Sequence, residues 1–206
     1  MLTGLTPLMS SRTQLLILGS FPGAASLAAQ QYYGHPQNRF WRILQAIWPS
    51  CALPTGANSY KIRSEWLLDK GLGLWDVYAA CEREGSLDSS IRKPQVNDFS
   101  QLRCWCPDLQ AIAHNGGESF KHARHVSAAL TSVASPLAKQ GPQDRLCRTA
   151  GAAAPSGGSA LHEVKSVGVL FHRLPSTSPA NASWSFERKL AAWREVFEQH
   201  GLIDKQ

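Results

Sequence analysis

Short apolar runs recur four times along the chain, at residues 14–20, 72–78, 109–115 and 166–171. Runs of this length, bounded by glycine and other turn-forming residues, are typical of buried strands. The sequence therefore predicts a central sheet built from these segments.

Helical patterns lie between these runs. One helix is expected to open at Pro36, where proline suits the first turn, and to end before Pro49. Others are predicted at residues 62–70 and 119–130, and from about residue 179 or 183 onwards. The first and last of these helices carry an apolar face formed by Phe40, Leu44, Ile47 and Trp48, and by Phe186, Leu190, Trp193 and Phe197. Alternating strands and helices favour an α/β fold, a three-layer α/β/α sandwich with a central, mainly parallel four-stranded sheet.

The alternation is interrupted between about residues 131 and 165. This segment is rich in Ala, Ser, Gly and Pro, and contains the run TAGAAAPSGGSA. Such a composition is typical of a flexible surface loop, and strand and helix patterns resume after it. We therefore predict one domain over residues 1–206 with a flexible low-complexity insert.

Composition narrows the class of protein. A chain of 206 residues with 43% hydrophobic residues is long enough to bury a real core. No apolar run approaches the length of a membrane span, and the N-terminus lacks a signal-peptide pattern, so that we expect a cytoplasmic protein that does not bind membranes. The net charge of +6 favours a polyanionic partner, although solubility alone would explain it equally well.

Metal and nucleotide motifs are missing from the sequence. Its five cysteines are irregularly spaced, and Cys104 and Cys106 have no second pair at zinc-like spacing. No Gly-Lys-Ser/Thr follows the glycine turn at Gly19, which argues against a P-loop. We expect no metal and no cofactor.

Polar, turn-forming segments follow the predicted strands, and ligands of open parallel sheets bind at the carboxyl ends of the strands. The segments are Gly19–Gly23, Asp76–Tyr78, His114–Gly116 and Leu174–Pro179. A binding site is therefore predicted at this edge of the sheet.

Two of these segments belong to longer motifs. LGSFPGAASLAAQQYYGHPQNRFW, together with LPSTSPANAS, resembles the uracil-DNA glycosylase superfamily, and within it the hypoxanthine-DNA (deoxyinosine) glycosylase family. LWDVYAACEREGSLDSSI is similar to an intermediate segment of that family. The resemblance covers residues 14–120 and 166–200. It implies a monofunctional DNA repair enzyme that flips out a deaminated base, most readily hypoxanthine, and hydrolyses its N-glycosidic bond to leave an abasic site.

The resemblance also implies a catalytic asparagine. Most superfamily members place Asn, Asp or Glu where this chain has Phe21, whose ring cannot orient a water. In the hypoxanthine family the essential asparagine lies in a His-Pro-x-Asn element, which is Asn38 here, in the first turn of the helix predicted from Pro36. Mismatch-specific uracil glycosylases share that element, so that Asn38 does not separate the two families, whereas Phe21 favours the hypoxanthine branch.

Further roles follow from the same resemblance. Tyr33 matches the position that stacks on the extruded base, Asn115 resembles a base-contacting and catalytic asparagine, and Gly19, Ser20 and Phe21 line the base pocket. The second motif contacts DNA through Ser176, Thr177, Ser178, Pro179 and Asn181. Its tip, residues 178–181, is the segment that pushes into the duplex beside the lesion.

Simpler interpretations remain open for several of these residues. Asn38 could serve only to begin a helix, Asn115 with Gly116 is a common turn pair, and Tyr33 could be an ordinary core ring. The alternatives in function are a mismatch-specific uracil/thymine-DNA glycosylase and a catalytically silent DNA-binding relative. In each case the expected partner is DNA containing a deaminated base, bound by a monomer.

Overall fold

The computed structural model describes residues 1–54, 59–131 and 168–204. The strands are β1 (Leu2–Thr3), β2 (Leu15–Gly19), β3 (Leu72–Asp76), β4 (Tyr78–Glu82), β5 (Arg92–Val96), β6 (Ala111–Asn115) and β7 (Leu170–Leu174). The helices are α1 (Ala24–Ala29), α2 (Phe40–Ile47), α3 (Tyr60–Asp69), α4 (Leu102–Trp105), α5 (Gly117–Phe120), α6 (Ala123–Thr131) and α7 (Phe186–Gln199).

The central sheet has four parallel strands in the order β3-β2-β6-β7. Along β2, Leu15 and Ile17 face one hydrophobic cluster, which also contains residues of α2, α3 and α7. Leu16 and Leu18 face a second cluster, which contains residues of α4 and α6. The sheet is therefore covered on both faces, and the predicted α/β/α sandwich with a parallel four-stranded sheet is confirmed.

The fourth strand lies later than predicted, at Leu170–Leu174 rather than 166–171. Its last part contains His172 and the exposed Arg173, which obscure the apolar pattern. An edge strand tolerates such residues because only one of its sides pairs with the sheet. Its position is set by pairing with β6, where Leu170 faces Ala111 and Leu174 faces Asn115.

A second sheet, antiparallel and in the order β1-β4-β5, was not predicted. The apolar run at 72–78 is divided between the two sheets, because Val77 turns to donate its N–H to the Gly19 carbonyl at 2.9 Å. All five residues of β5 are exposed, so that this strand has no alternation of apolar and polar positions by which to recognise it.

Several predicted helix bounds are also wrong. The helix expected at Pro36 begins at Phe40, and the segment expected as one helix over 119–130 is divided into α5 and α6. The last helix begins at Phe186, where the Ser185 hydroxyl accepts the Arg188 N–H at 3.3 Å. This side-chain cap satisfies a free N–H of the first turn, which explains the later start.

The predicted insert at about 131–165 lies almost wholly outside the described residues, which end at Thr131 and resume at Gly168. Within the described ranges, the structure contains no helix that is both long and apolar enough to cross a membrane.

Candidate active site

A cleft of about 540 Å³ lies at the carboxyl ends of the parallel strands. Most of its lining comes from four parts of the chain: the glycine turn (residues 19–23), the segment 32–38, the β4–β5 loop (residues 83–91) and the second-motif loop (residues 175–185). The cleft is lined by every side chain or backbone segment that the sequence singled out, namely Gly19, Ser20, Phe21, Tyr33, Asn38, Asn115, Ser176, Thr177, Ser178, Pro179 and Asn181. Two motifs that lie more than a hundred residues apart therefore meet at one site.

Asp76, the last residue of β3, lies at the inner wall of this cleft. It pairs in register with Gly19, and a Cβ on Gly19 would lie only 2.3 Å from the Asp76 Oδ1 atom. The space for this carboxyl group therefore exists because residue 19 has no side chain.

Asp76 is 5% exposed, and the Oδ2 atom of its carboxyl group has no hydrogen-bond partner among the described residues. Burial, with a smaller contribution from the negative charge of Asp88, raises the pKa of Asp76 to about 7. The group can therefore be a hydrogen-bond donor as well as an acceptor near neutral pH. We did not predict this residue from the sequence, although it begins one of the polar segments at the strand ends.

Asn38 lies in a turn before α2 rather than in the first turn of the helix. Its N–H donates to the His35 carbonyl at 2.9 Å, and its Oδ1 accepts the Phe40 N–H at 2.9 Å. This contact fixes the orientation of the amide, and the Nδ2 atom of this half-buried residue makes no hydrogen bond within the described part of the chain. The amide thus presents a free donor in the cleft.

Tyr33 packs one face of its ring against Phe40, with ring centroids 3.9 Å apart and an interplanar angle of 24°. Only the opposite face remains for a ligand. The residue has a φ of 55°, in the left-handed region that is costly for a tyrosine. Its hydroxyl accepts a hydrogen bond from Asn115 Nδ2 at 3.1 Å, and burial raises the pKa of Tyr33 above its ordinary value.

Asn115 uses its amide to hold the second-motif loop. Its Oδ1 accepts the Thr177 N–H at 2.9 Å, and its Nδ2 donates to Thr177 Oγ1 at 3.0 Å and to the Tyr33 hydroxyl. An amide nitrogen has two hydrogens, so that both donors are occupied. In this structure Asn115 therefore positions the walls of the cleft, and its amide presents no free N–H to a base.

Thr177 is fully buried, with its hydroxyl turned towards Asn115. The prediction that this side chain contacts DNA therefore conflicts with its position. Pro179 and Ala180 at the tip of the loop are exposed, as are Ala182, Ser183 and Ser185 further along it. Asn181 donates from Nδ2 to the Ser176 carbonyl at 3.1 Å and accepts at its own carbonyl from the buried Lys189 Nζ at 2.8 Å.

The β4–β5 loop is fastened to the glycine turn on the other side of the cleft. The Ser20 hydroxyl donates to Asp88 Oδ1 at 2.6 Å, and the Ala24 N–H donates to Ser86 Oγ at 3.0 Å. The Arg83 guanidinium donates to the Pro22 carbonyl and lies 5.0 Å from the centre of the Phe21 ring. Phe21 is thus a buried anchor for this loop, which agrees with its inability to orient a water.

No group of three or more His, Cys, Asp and Glu side chains that could hold a metal ion occurs in the described ranges.

Comparison with known proteins identifies the family of the chain. The model of the uracil DNA glycosylase superfamily matches residues 6–198. Two proteins named hypoxanthine DNA glycosylase, from Methanosarcina barkeri and Methanosarcina acetivorans, are 40% and 41% identical to the chain, and each match covers 58% of this chain and 73% of the relative.

A solution NMR structure from Methanosarcina acetivorans, described provisionally as a uracil DNA glycosylase, superimposes with a TM-score of 0.68 at 28% identity, over 97% of this chain and 98% of that one. The resemblance drawn from the motifs is confirmed. With a family match over nearly its whole length, the chain belongs to the uracil DNA glycosylase superfamily and is a DNA N-glycosylase.

Proposed function

We propose that the protein removes hypoxanthine from DNA by hydrolysing the N-glycosidic bond of deoxyinosine. The observation that carries this proposal is the convergence of three groups on one cleft: the free ring face of Tyr33, the free amide donor of Asn38 and the buried carboxyl group of Asp76. The names of the two Methanosarcina relatives support the choice of base.

The cleft can accept an extruded purine. Its volume of about 540 Å³ falls within the usual range for small-molecule sites, and it leaves room for a two-ring base. Stacking on the free face of Tyr33 would offset about 1–3 kcal/mol of the free-energy cost of unpairing the base.

Asp76 is suited to reading the lactam edge of hypoxanthine. That edge carries one N–H donor beside one carbonyl acceptor, and a protonated carboxyl group offers the complementary acceptor and donor. Asp76 lines the cleft, and the pKa of its carboxyl group, about 7, lets the protonated form persist near neutral pH. Uracil has a similar edge, so that Asp76 selects for the lactam and not for the size of the base.

The same protonation favours departure of the base. Negative charge builds on the leaving base as the glycosidic bond breaks, and a donor placed at that charge lowers the barrier, whereas a second negative charge raises it. Neutral Asp76 supplies such a donor. Asn38, held by the Phe40 N–H, places its free Nδ2 for a leaving-group atom or the attacking water, and acts by position because an amide is a poor base.

A panel of lesions tests the proposal. Oligonucleotides containing deoxyinosine, deoxyuridine or deoxyxanthosine, single-stranded and in duplex, are incubated with excess enzyme and then cleaved with alkali at abasic sites. We expect the fastest release from deoxyinosine. Faster release from deoxyuridine, above all opposite guanine, would instead show a mismatch-specific uracil glycosylase. The absence of release from all three lesions, with DNA binding retained, would show a silent relative.

A further inference from the structure

We propose that Leu87, on the β4–β5 loop, is the side chain that enters the duplex beside the lesion and fills the space left by the extruded base. This inference rests on the proposed function, because a base must leave the stack for the space to exist. Extrusion costs a few kcal/mol, and DNA-binding proteins commonly offset such costs by inserting an apolar side chain between base steps.

The second-motif loop lacks a large exposed apolar side chain at its tip, and its Trp184 is half-buried with the Arg188 guanidinium 4.5 Å from the centre of its ring. Its tip consists of Ser178, Pro179, Ala180 and Asn181, none of which carries a large apolar group. Asn181 is also held back by its contacts with Ser176 and Lys189. The family resemblance predicts this tip as the part that pushes into the duplex, and there the tip offers the ring of Pro179 and otherwise only small or polar side chains.

Leu87 has the exposure and the location that a wedge needs. Six large apolar side chains of the described ranges are exposed, and among these only Leu87, at 55% exposure, lines the cleft. Its neighbours in sequence are hydrogen-bonded to Ser20 and Ala24, so that Leu87 lies beside the glycine turn. An exposed leucine at the rim of a site that accepts a base from a duplex has a direct path to the stack.

The loop that carries Leu87 is anchored on both sides of this residue. Ser86 accepts the Ala24 N–H, and Asp88 accepts the Ser20 hydroxyl. Gly85, with a φ of 70°, makes the turn that precedes them, and nothing lies within 4 Å of a Cβ built there. A side chain can displace a base only if its backbone does not yield, and these contacts supply that support.

The kinetic test compares duplex and single-stranded deoxyinosine under single-turnover conditions. We expect Leu87→Ala to slow release from the duplex by about tenfold or more, because the energy that offsets extrusion is lost. Release from the single strand should change by less than about twofold, since no stack has to be opened there. Leu87→Phe should release hypoxanthine from the duplex at about the wild-type rate. The matched control is Ile62→Ala, which removes a side chain of 56% exposure on α3, outside the cleft, and should change neither rate.

Equal slowing on both substrates would overturn the proposal, because Leu87 would then contact the base rather than the stack. An unchanged duplex rate would overturn it as well. A second measurement does not depend on base release. It follows the fluorescence of 2-aminopurine, which rises when this base is unstacked, in a duplex that carries a tetrahydrofuran abasic residue beside it. Wild type and Ile62→Ala should raise the fluorescence on binding, and Leu87→Ala should bind without raising it. If the wild-type protein leaves the fluorescence unchanged on binding, the proposal that Leu87 enters the duplex is overturned, even if the lesion panel shows release of hypoxanthine.

Discussion

Two asparagines line the same cleft, and the structure gives them opposite surroundings. The Asn115 amide makes three hydrogen bonds, two with Thr177 and one with Tyr33. Asn38 uses only its oxygen, for the Phe40 N–H, and keeps its amide nitrogen free of described partners. A polar side chain at a site is available for chemistry only to the extent that the fold has left it unsatisfied. We therefore propose that Asn38 places the substrate or the water and that Asn115 supports the cleft.

The largest effect is expected from Asn38→Ala. Single-turnover release of hypoxanthine should fall by about two orders of magnitude or more, because a contact placed for the transition state is lost. The free energy of unfolding should fall by no more than about 1 kcal/mol, since only one local hydrogen bond disappears. Gln37→Ala, an exposed amide in the same turn, is the control and should release base at the parental rate.

A folded Asn38→Ala protein that releases base as fast as the parent would reverse this assignment. Asn38 would then serve only the turn before α2, and the catalytic group would have to be sought at Asp76 or Asn115.

The main effect of Asn115→Ala should be a loss of stability. It removes three hydrogen bonds between β6, the second-motif loop and Tyr33, for an expected loss of roughly 2 kcal/mol in the free energy of unfolding, measured by denaturant titration. Asn115→Asp tests whether Asn115 supports the cleft or contacts the base. A carboxylate can still accept the Thr177 N–H, and the two hydroxyls can turn to donate to it. We expect the Asp variant to keep more stability than the Ala variant. If both variants unfold like wild type, Asn115 is not a support.

The pH dependence of base release should report on Asp76. In the proposed mechanism the protonated form stabilises the leaving base, and the rate should therefore fall above a pH of about 7, by at most about tenfold per pH unit. The folded pKa lies above the unfolded value, so that the folded chain holds a proton that the unfolded chain has released. Stability should therefore fall as the pH rises from about 4 to about 7. Asp76→Asn should flatten both profiles, and a fall in rate that survives in this variant would assign the titration elsewhere.

Tyr33→Phe should have the smallest effect. It removes the hydroxyl that accepts from Asn115 but keeps the ring face and its stacking on Phe40. We expect a loss of stability below about 1 kcal/mol and a change in rate of less than about threefold. Tyr33→Ala should weaken engagement of the base much more, because the ring itself is lost. Equal losses for Phe and Ala would mean that the hydroxyl, and not the ring, is what the site uses.

Local patterns were sufficient to predict part of this protein. A five-residue apolar run such as Leu15–Gly19 is buried whichever helices cover it, so that three of the four central strands were located within a few residues. The carboxyl ends of parallel strands meet by geometry, so that the position of the cleft followed from the order of the elements. The motif resemblance then supplied the family, because it depends on residue types at fixed spacing.

Other features depend on residues that are distant in the sequence. The burial of Asp76 depends on Gly19, the engagement of Asn115 depends on Thr177, and the exposure of Leu87 beside the cleft depends on the anchoring of its loop to Ser20 and Ala24. Neither the pKa of a carboxyl group nor the satisfaction of an amide can be read from neighbouring residues, since both are set by desolvation and by partners that only folding brings within 3 Å. The sequence by itself thus determined three strands of the central sheet, the position of the cleft and the family, while the tertiary structure alone decided which polar groups in that cleft remain free to act.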